Sequence, residues 1–197
     1  LEAGIKYLVL SATASATLLM GMAYVYSVLG SLSFAGQVDD MFWALTKTQD
    51  PQLAMALQAY IPAFAEKLTS VFGILGLGLI IAAIAFKLSL APFHKWTPDV
   101  YAGAPAPIAT FLATVAKVAM IGVFVRYLLS SGVIGIESIK TILIVIAVMS
   151  ILVGNLLAVK QVNVKRILAY SSIAHFGYLI LAVVTTSFLS LTSVSLY

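Results

Sequence analysis

Five stretches of this chain are each about as long and as apolar as a bilayer core demands, and this limits what it can fold into. About 20 apolar residues cross the hydrocarbon core as a helix. In lipid, only structures that satisfy their own backbone N–H and C=O groups can span. The stretches run over residues 5–28, 70–93, 107–129, 138–159 and 167–189, which predicts an all-α polytopic membrane protein. Charged residues make up 9% of the chain, where a soluble domain carries about a quarter. The net charge of +4 is scattered, with no basic block interleaved with aromatics, so nucleic acid is not an expected partner. Cysteine is absent, which excludes iron–sulfur clusters and thiolate zinc within this chain. The two histidines, His94 and His175, offer no metal-ligand set, and nothing else supports a haem held between them. No metal or cofactor is expected here. The sequence opens on Leu1 without a signal peptide and ends in an apolar stretch, so it reads as an internal piece of a longer protein.

Lys87 and Lys117 lie inside two of these runs. A lysine near mid-membrane costs roughly 2.5–3.5 kcal/mol on insertion scales, so it faces a protein interior or a wet cavity. Pro92 follows Lys87 by five residues and cannot donate to the Leu88 carbonyl. A discontinuous helix near Lys87–Pro92 is expected, with freed backbone acceptors beside an ammonium, an arrangement that forms ion sites in transporters. An ordinary proline kink ending the span is the bland alternative. Lys117 sits mid-span, with Thr110 and Thr114 on the same helical face at i, i+4 and i+7, a stripe able to hold a file of water. Burial favours the neutral amine and a nearby carboxylate favours the ammonium, so a carboxylate that moves or changes charge would load and unload the lysine. The alternative is a permanent structural ion pair to another helix. Arg126, near the span end, is expected to snorkel to the interface.

The last span carries Ser171, His175 and Tyr178 on one face. A histidine there is either a proton relay or neutral interhelical glue. Ser11, Ala12, Ser15, Ala16 and Gly21 in the first span, and Ser150 and Gly154 in the fourth, have the small-xxx-small spacing of close helix packing. Between the first two spans, Asp50-Pro51 starts a short interfacial helix kinked at Pro62. Residues 94–106 read as a compact turn-rich loop with His94 in it. Lys160, Lys165 and Arg166 place the loop between the last two spans in the cytoplasm, with Lys95 on the same side and Asp39, Asp40 and Asp50 outside.

Two longer phrases are more specific than any periodicity. Phe86–Pro107 reads FKLSLAPFHKWTPDVYAGAPAP and Asn163–Tyr178 reads NVKRILAYSSIAHFGY. With LEAGIKY at Leu1–Tyr7 and FLATVAKVA at Phe111–Ala119, they closely resemble the antiporter-like membrane subunits of proton-pumping NADH–quinone oxidoreductase (respiratory complex I), those of the subunit N type above all. The likeness covers nearly the whole chain, weakest at 35–68 and after about 185. It implies a bundle built on inverted repeats, each with a broken helix, and makes residues 1–197 a fragment of one such proton-transporting domain.

Lys87 falls on the lysine of the first broken helix, Lys117 on the central lysine of the next, and His175 on the motif as a relay. The family's glutamate partner would precede Leu1 and the second repeat's lysine would follow Tyr197. The implied function is proton translocation in a bacterial inner membrane, coupled to quinone reduction elsewhere in the enzyme. NADH and quinone are then used by the whole complex, and the partners are its other membrane-arm subunits, the bilayer and protons. Related subunits of sodium–proton antiporters and membrane-bound hydrogenases share the lysines, but tend to have Leu-Pro where this chain has Thr97-Pro98. A structural spacer in the membrane arm is the reading of a different class.

Overall fold

The computed structural model describes residues 2–30, 66–131 and 133–186. Helix α1 spans Glu2–Leu29, α2 Val71–Leu88, α3 Trp96–Gly103, α4 Ala106–Ala113, α5 Val115–Ser130, α6 Glu137–Val159 and α7 Val164–Thr186. A 3-10 turn at Val133–Gly135 joins α5 to α6. Five stretches are long and apolar enough to cross a membrane: α1, α2, the continuous run Ala106–Leu128, α6 and α7. The chain is thus all-helical among the described residues, with the five spans its apolar runs require. The interfacial helix expected after Asp50 lies outside the described residues, apart from 66–69, which are helical.

Lipid tails are as apolar as leucine, so close contact rather than hydrophobic burial must hold these helices together. Glycines supply it in two pairs. A Cβ on Gly21 of α1 would stand 2.8 Å from the Gly76 carbonyl of α2, and one on Gly76 would stand 2.9 Å from the Gly21 carbonyl. A Cβ on Gly154 of α6 would meet the Ala174 nitrogen of α7 at 2.7 Å, and one on Gly177 the Ala147 carbonyl at 2.9 Å. The α6 expectation holds, since Ser150 and Gly154 are both buried. On α1 the packed stripe is Ala14, Gly21 and Val25, whereas Ala12 and Ala16 are exposed. Spacing alone could not choose between two small-residue faces of one helix.

Helix α2 breaks where a break was expected, by a different device. It ends at Leu88, ahead of Pro92, because Ser89 turns left-handed at φ 64°. The Ser89 N–H then donates to the Phe86 carbonyl at 2.9 Å and the Leu90 N–H to the Ala85 carbonyl at 2.8 Å. That is a Schellman closure, made with a serine where glycine is usual. The Ala85 and Phe86 carbonyls are therefore already occupied beside Lys87, and the Trp96 indole adds a second donor to Phe86 at 3.2 Å. Across the gap, the Ala91 N–H donates to Ser150 Oγ on α6 at 2.9 Å, and Ser150 donates to the Ile146 carbonyl at 2.6 Å. The Ala91–Pro92 peptide is cis.

The chain resumes as α3, so residues 96–103 are helix and not the loop their turn residues suggested. Tertiary packing overrides those signals: Trp96 lies 5.5 Å from the Phe86 ring and 5.3 Å from the Tyr7 ring, fixing the start of α3 on α2 and α1. The third span departs from expectation too, since it is interrupted at Thr114, which closes α4 and opens α5. Thr110 and Thr114 donate their hydroxyls back to the carbonyls of Ala106 and Thr110, at 2.9 and 2.8 Å. Such back-bonding bends helices.

Candidate functional site

Three residues beyond the interruption at Thr114, the Lys117 side chain turns inward and is 1% exposed. Its Nζ donates to Ser172 Oγ on α7 at 2.9 Å. Ser172 in turn donates to the Ala169 carbonyl at 2.8 Å. Two rings flank the ammonium: Phe176 of α7, with its centroid 5.2 Å away, and Tyr101 of α3, at 5.7 Å. Both lie within cation–π range. Among the described residues no carboxylate comes within ion-pair distance of Lys117. This is a cation held by one hydroxyl and two aromatic faces, which can bind a proton and also give it up. The Tyr101 hydroxyl is buried beside the same serine without a hydrogen bond of regular geometry, and its burial pushes the phenol up to about 12.

The threonine stripe does not extend to the lysine. Thr110 and Thr114 are exposed and bonded to carbonyls one turn back, whereas Lys117 is buried. The hydroxyl that meets the ammonium belongs to Ser172, one residue from the Ser171 singled out in the sequence. Ser172 is in phase with Ala169, Phe176 and Ile180, all buried.

Lys87 is half-buried in the last turn of α2, where the carbonyl ends of the helix favour a cation. Among the described residues its ammonium has no hydrogen-bond or ion-pair partner. His175 is exposed on α7, whereas its neighbours Phe176 and Gly177 are buried. Tyr178, also exposed, accepts from the Asn155 amide of α6 at 3.1 Å. The structure therefore brings Lys117 together with Ser172, Tyr101 and Phe176, and puts His175 on another face. His94 is more enclosed than a loop residue would be. Its Nδ1 is buried without a partner and its ring lies 6.4 Å from Tyr170. Burial, with Lys95 adjacent, holds its imidazole below the usual histidine range.

One end of the bundle holds a cluster of charges. Asp99 of α3 accepts from Arg166 of α7 at 3.1 Å and lies 3.7 Å from Lys6 of α1, which also pairs with Glu2. Lys165 donates to the Ala104 carbonyl at 2.9 Å. These pairs are half-exposed and contribute little energy, but they locate the end of α3 between the starts of α1 and α7. The basic loop before α7 and residues 95–106 thus lie on one side, as the charge pattern required. Arg126 is exposed. Among the described residues no group of three or more His, Cys, Asp or Glu side chains could hold a metal ion.

Residues 1–197 match the family described as NADH:quinone oxidoreductase/Mrp antiporter, TM. NADH-quinone oxidoreductase subunit N of Acinetobacter baumannii (strain AB0057) is 62% identical over 197 residues, 100% of this chain and 35% of that protein. Subunit N of Psychrobacter arcticus is 50% identical over 185 residues, 94% of this chain and 33% of that protein. The chain thus spans about a third of the length of these relatives. Among solved structures it is similar to a chain of respiratory complex I from Thermus thermophilus with bound aureothin, at TM-score 0.66 and 34% identity over 93% of this chain and 34% of that one. A chain of the membrane-bound sulfane sulfur reductase, an archaeal respiratory membrane complex, gives TM-score 0.68 and 30% identity over 92% and 33%. The Mrp complex from Dietzia sp. DQ12-45-1b gives TM-score 0.70 at 20% identity over 93% and 29%, a likeness of fold alone.

Proposed function

This chain belongs to the NADH:quinone oxidoreductase/Mrp antiporter transmembrane family, and from that premise we propose that it is part of a proton-translocating membrane subunit of NADH–quinone oxidoreductase. The observation that carries the reading is Lys117. It is sealed in an apolar span, and its ammonium is held by the Ser172 hydroxyl with no carboxylate beside it among the described residues. A lysine kept only for structure is best served by a permanent anion, because an uncompensated buried charge is costly. One held by a neutral hydroxyl can exchange its proton. In this proposal a carboxylate outside the described residues loads and unloads Lys117 as it changes charge or position. Lys87, half-buried at the α2 break, is a second proton-carrying site. His175 serves as a relay toward whatever covers its exposed face. Electron transfer from NADH to quinone takes place in other subunits, in a bacterial inner membrane.

The identities of the two subunit N relatives favour this over the sodium–proton antiporter alternative, whose structural likeness extends to fold alone. The test is proton uptake by membrane vesicles carrying the whole complex with Lys117→Met, with assembly checked in parallel. Loss of pumping from an assembled complex is expected. Unchanged pumping would move the chain to a structural spacer, and sodium-dependent proton flux would favour the antiporter.

A further inference from the structure

Among the described residues, four buried side-chain polar atoms have no hydrogen-bond partner: Ser89 Oγ, His94 Nδ1, Thr97 Oγ1 and Tyr101 OH. All four lie between the end of α2 and the end of α3, within the segment that replaces an unbroken helix. Sealed, unpaired polar atoms are rare in folded proteins, and several in one place mark ordered water or a function. Two of them stand together: Thr97 and Tyr101 are one turn apart on the buried face of α3, 0% and 3% exposed. That face meets Lys117, whose ammonium has three donors, one of them spent on Ser172.

We propose that Tyr101 OH and Thr97 Oγ1 bind a buried water against the Lys117–Ser172 pair, and that this water, with the Tyr101 hydroxyl, is the proton-exchange partner of Lys117. The Tyr101 and Thr97 oxygens and the Lys117 ammonium supply the polar partners, about three, that a buried water needs. This site also places on α3 a function that the threonines preceding Lys117 in the same span, exposed and bonded to carbonyls one turn back, do not fulfil.

The proton count closes without a redox partner. An N–H bond of the ammonium breaks as an O–H bond forms on the water. The water's surplus proton passes to the Tyr101 oxygen as the phenol releases its own proton to a second water, which the proposal requires on the side of the hydroxyl away from Lys117. Lys117 is left a neutral amine, and Tyr101 ends as the phenol it began. The tyrosine never ionises, in keeping with a phenol whose buried site opposes the anion.

This rests on the reading that Lys117 carries protons, and the experiment separates the two claims. Proton pumping and its solvent deuterium isotope effect are measured in vesicles with the whole complex, comparing wild type, Tyr101→Phe, Thr97→Val and Lys117→Met. The Tyr101 hydroxyl bonds no backbone group, and in this proposal its partner is a water rather than another helix, so Tyr101→Phe should assemble and melt close to wild type. It should pump about tenfold more slowly, the effect of losing one hydrogen bond of about 1.4 kcal/mol in the transfer step, with a larger isotope effect. Thr97→Val should reproduce this in weaker form. Wild-type pumping and isotope effect in Tyr101→Phe, with pumping abolished in Lys117→Met, would overturn the water site and leave Lys117 in its role. Wild-type pumping in both would overturn the parent reading. Failure of Tyr101→Phe to assemble would also overturn the proposal, since the hydroxyl would then be structural.

Discussion

Replacing Ser172 with alanine tests the Lys117 site most directly, because it removes one oxygen and little else. The Ser172 hydroxyl accepts from the ammonium and donates to a carbonyl of its own helix, and alanine is the best helix former. The folding of α7 should therefore be untouched. A hydrogen bond to a charged group contributes about 1.5–3 kcal/mol, and each 1.4 kcal/mol is about a factor of ten. The proton-loaded form of Lys117 should become about ten- to a hundredfold less favoured relative to the neutral amine. The Phe176 and Tyr101 faces still attract the cation, by up to about 2 kcal/mol when desolvated, so the loss must stay short of that in Lys117→Met. The assay is NADH-driven proton uptake by inverted vesicles, with the assembled complex quantified by native electrophoresis. Ser172→Ala should slow pumping roughly tenfold or more, and Ser172→Thr should restore it. On the Lys117→Met background the serine substitution should have no further effect, because the two residues act as one unit. Wild-type pumping by Ser172→Ala, or an equal additional loss on that background, would refute the coupling of this serine to this lysine.

Other outcomes follow from packing and from the break. Gly154→Leu drives a side chain into the backbone of α7 at Ala174 and Tyr170, where rigid backbone cannot yield. It should abolish assembly in native gels, while Gly78→Ala and Gly122→Ala, with open space at both positions, should be tolerated or stabilise by up to about 1 kcal/mol. Ser150→Ala strips the Ala91 N–H of its acceptor. The orphaned buried donor should cost about 1–3 kcal/mol, read as a lower melting temperature of the purified complex, and Ser150→Thr should recover part of it. Asp99→Asn loosens half-exposed pairs to Arg166 and Lys6. It should lower the melting temperature slightly at low salt, and the difference should vanish at high salt.

What the sequence made legible, and what it hid, divide along one physical line. Span count, the break after Lys87 and the common side of the two basic loops all follow from cost: a charge or an unpaired backbone group in lipid is expensive, so length, proline and lysine placement carry strong information. Which face of a span turns inward is a different question, because lipid and protein interior are equally apolar and periodicity cannot separate them. This is why spacing picks out Ser171 while Ser172 makes the contact, and why it groups Thr110 and Thr114 with Lys117. The register was discoverable from size rather than polarity: Gly154, Ala174 and Gly177 mark the α6–α7 seam, and Ala169, Phe176 and Ile180 follow the inner side of α7 with Ser172 among them. Helix α3 stayed hidden for another reason. Thr97-Pro98-Asp99 is as good a helix start as a turn, since proline fits the first helical turn. The choice was made by long-range contacts of Trp96, Asp99 and Tyr101 that no local pattern encodes. The residues that reach Lys117 from outside its own helix, Tyr101, Ser172 and Phe176, thus lie on two segments whose register depends on tertiary packing. The lysine could be found by reading the chain, and its partners required the fold.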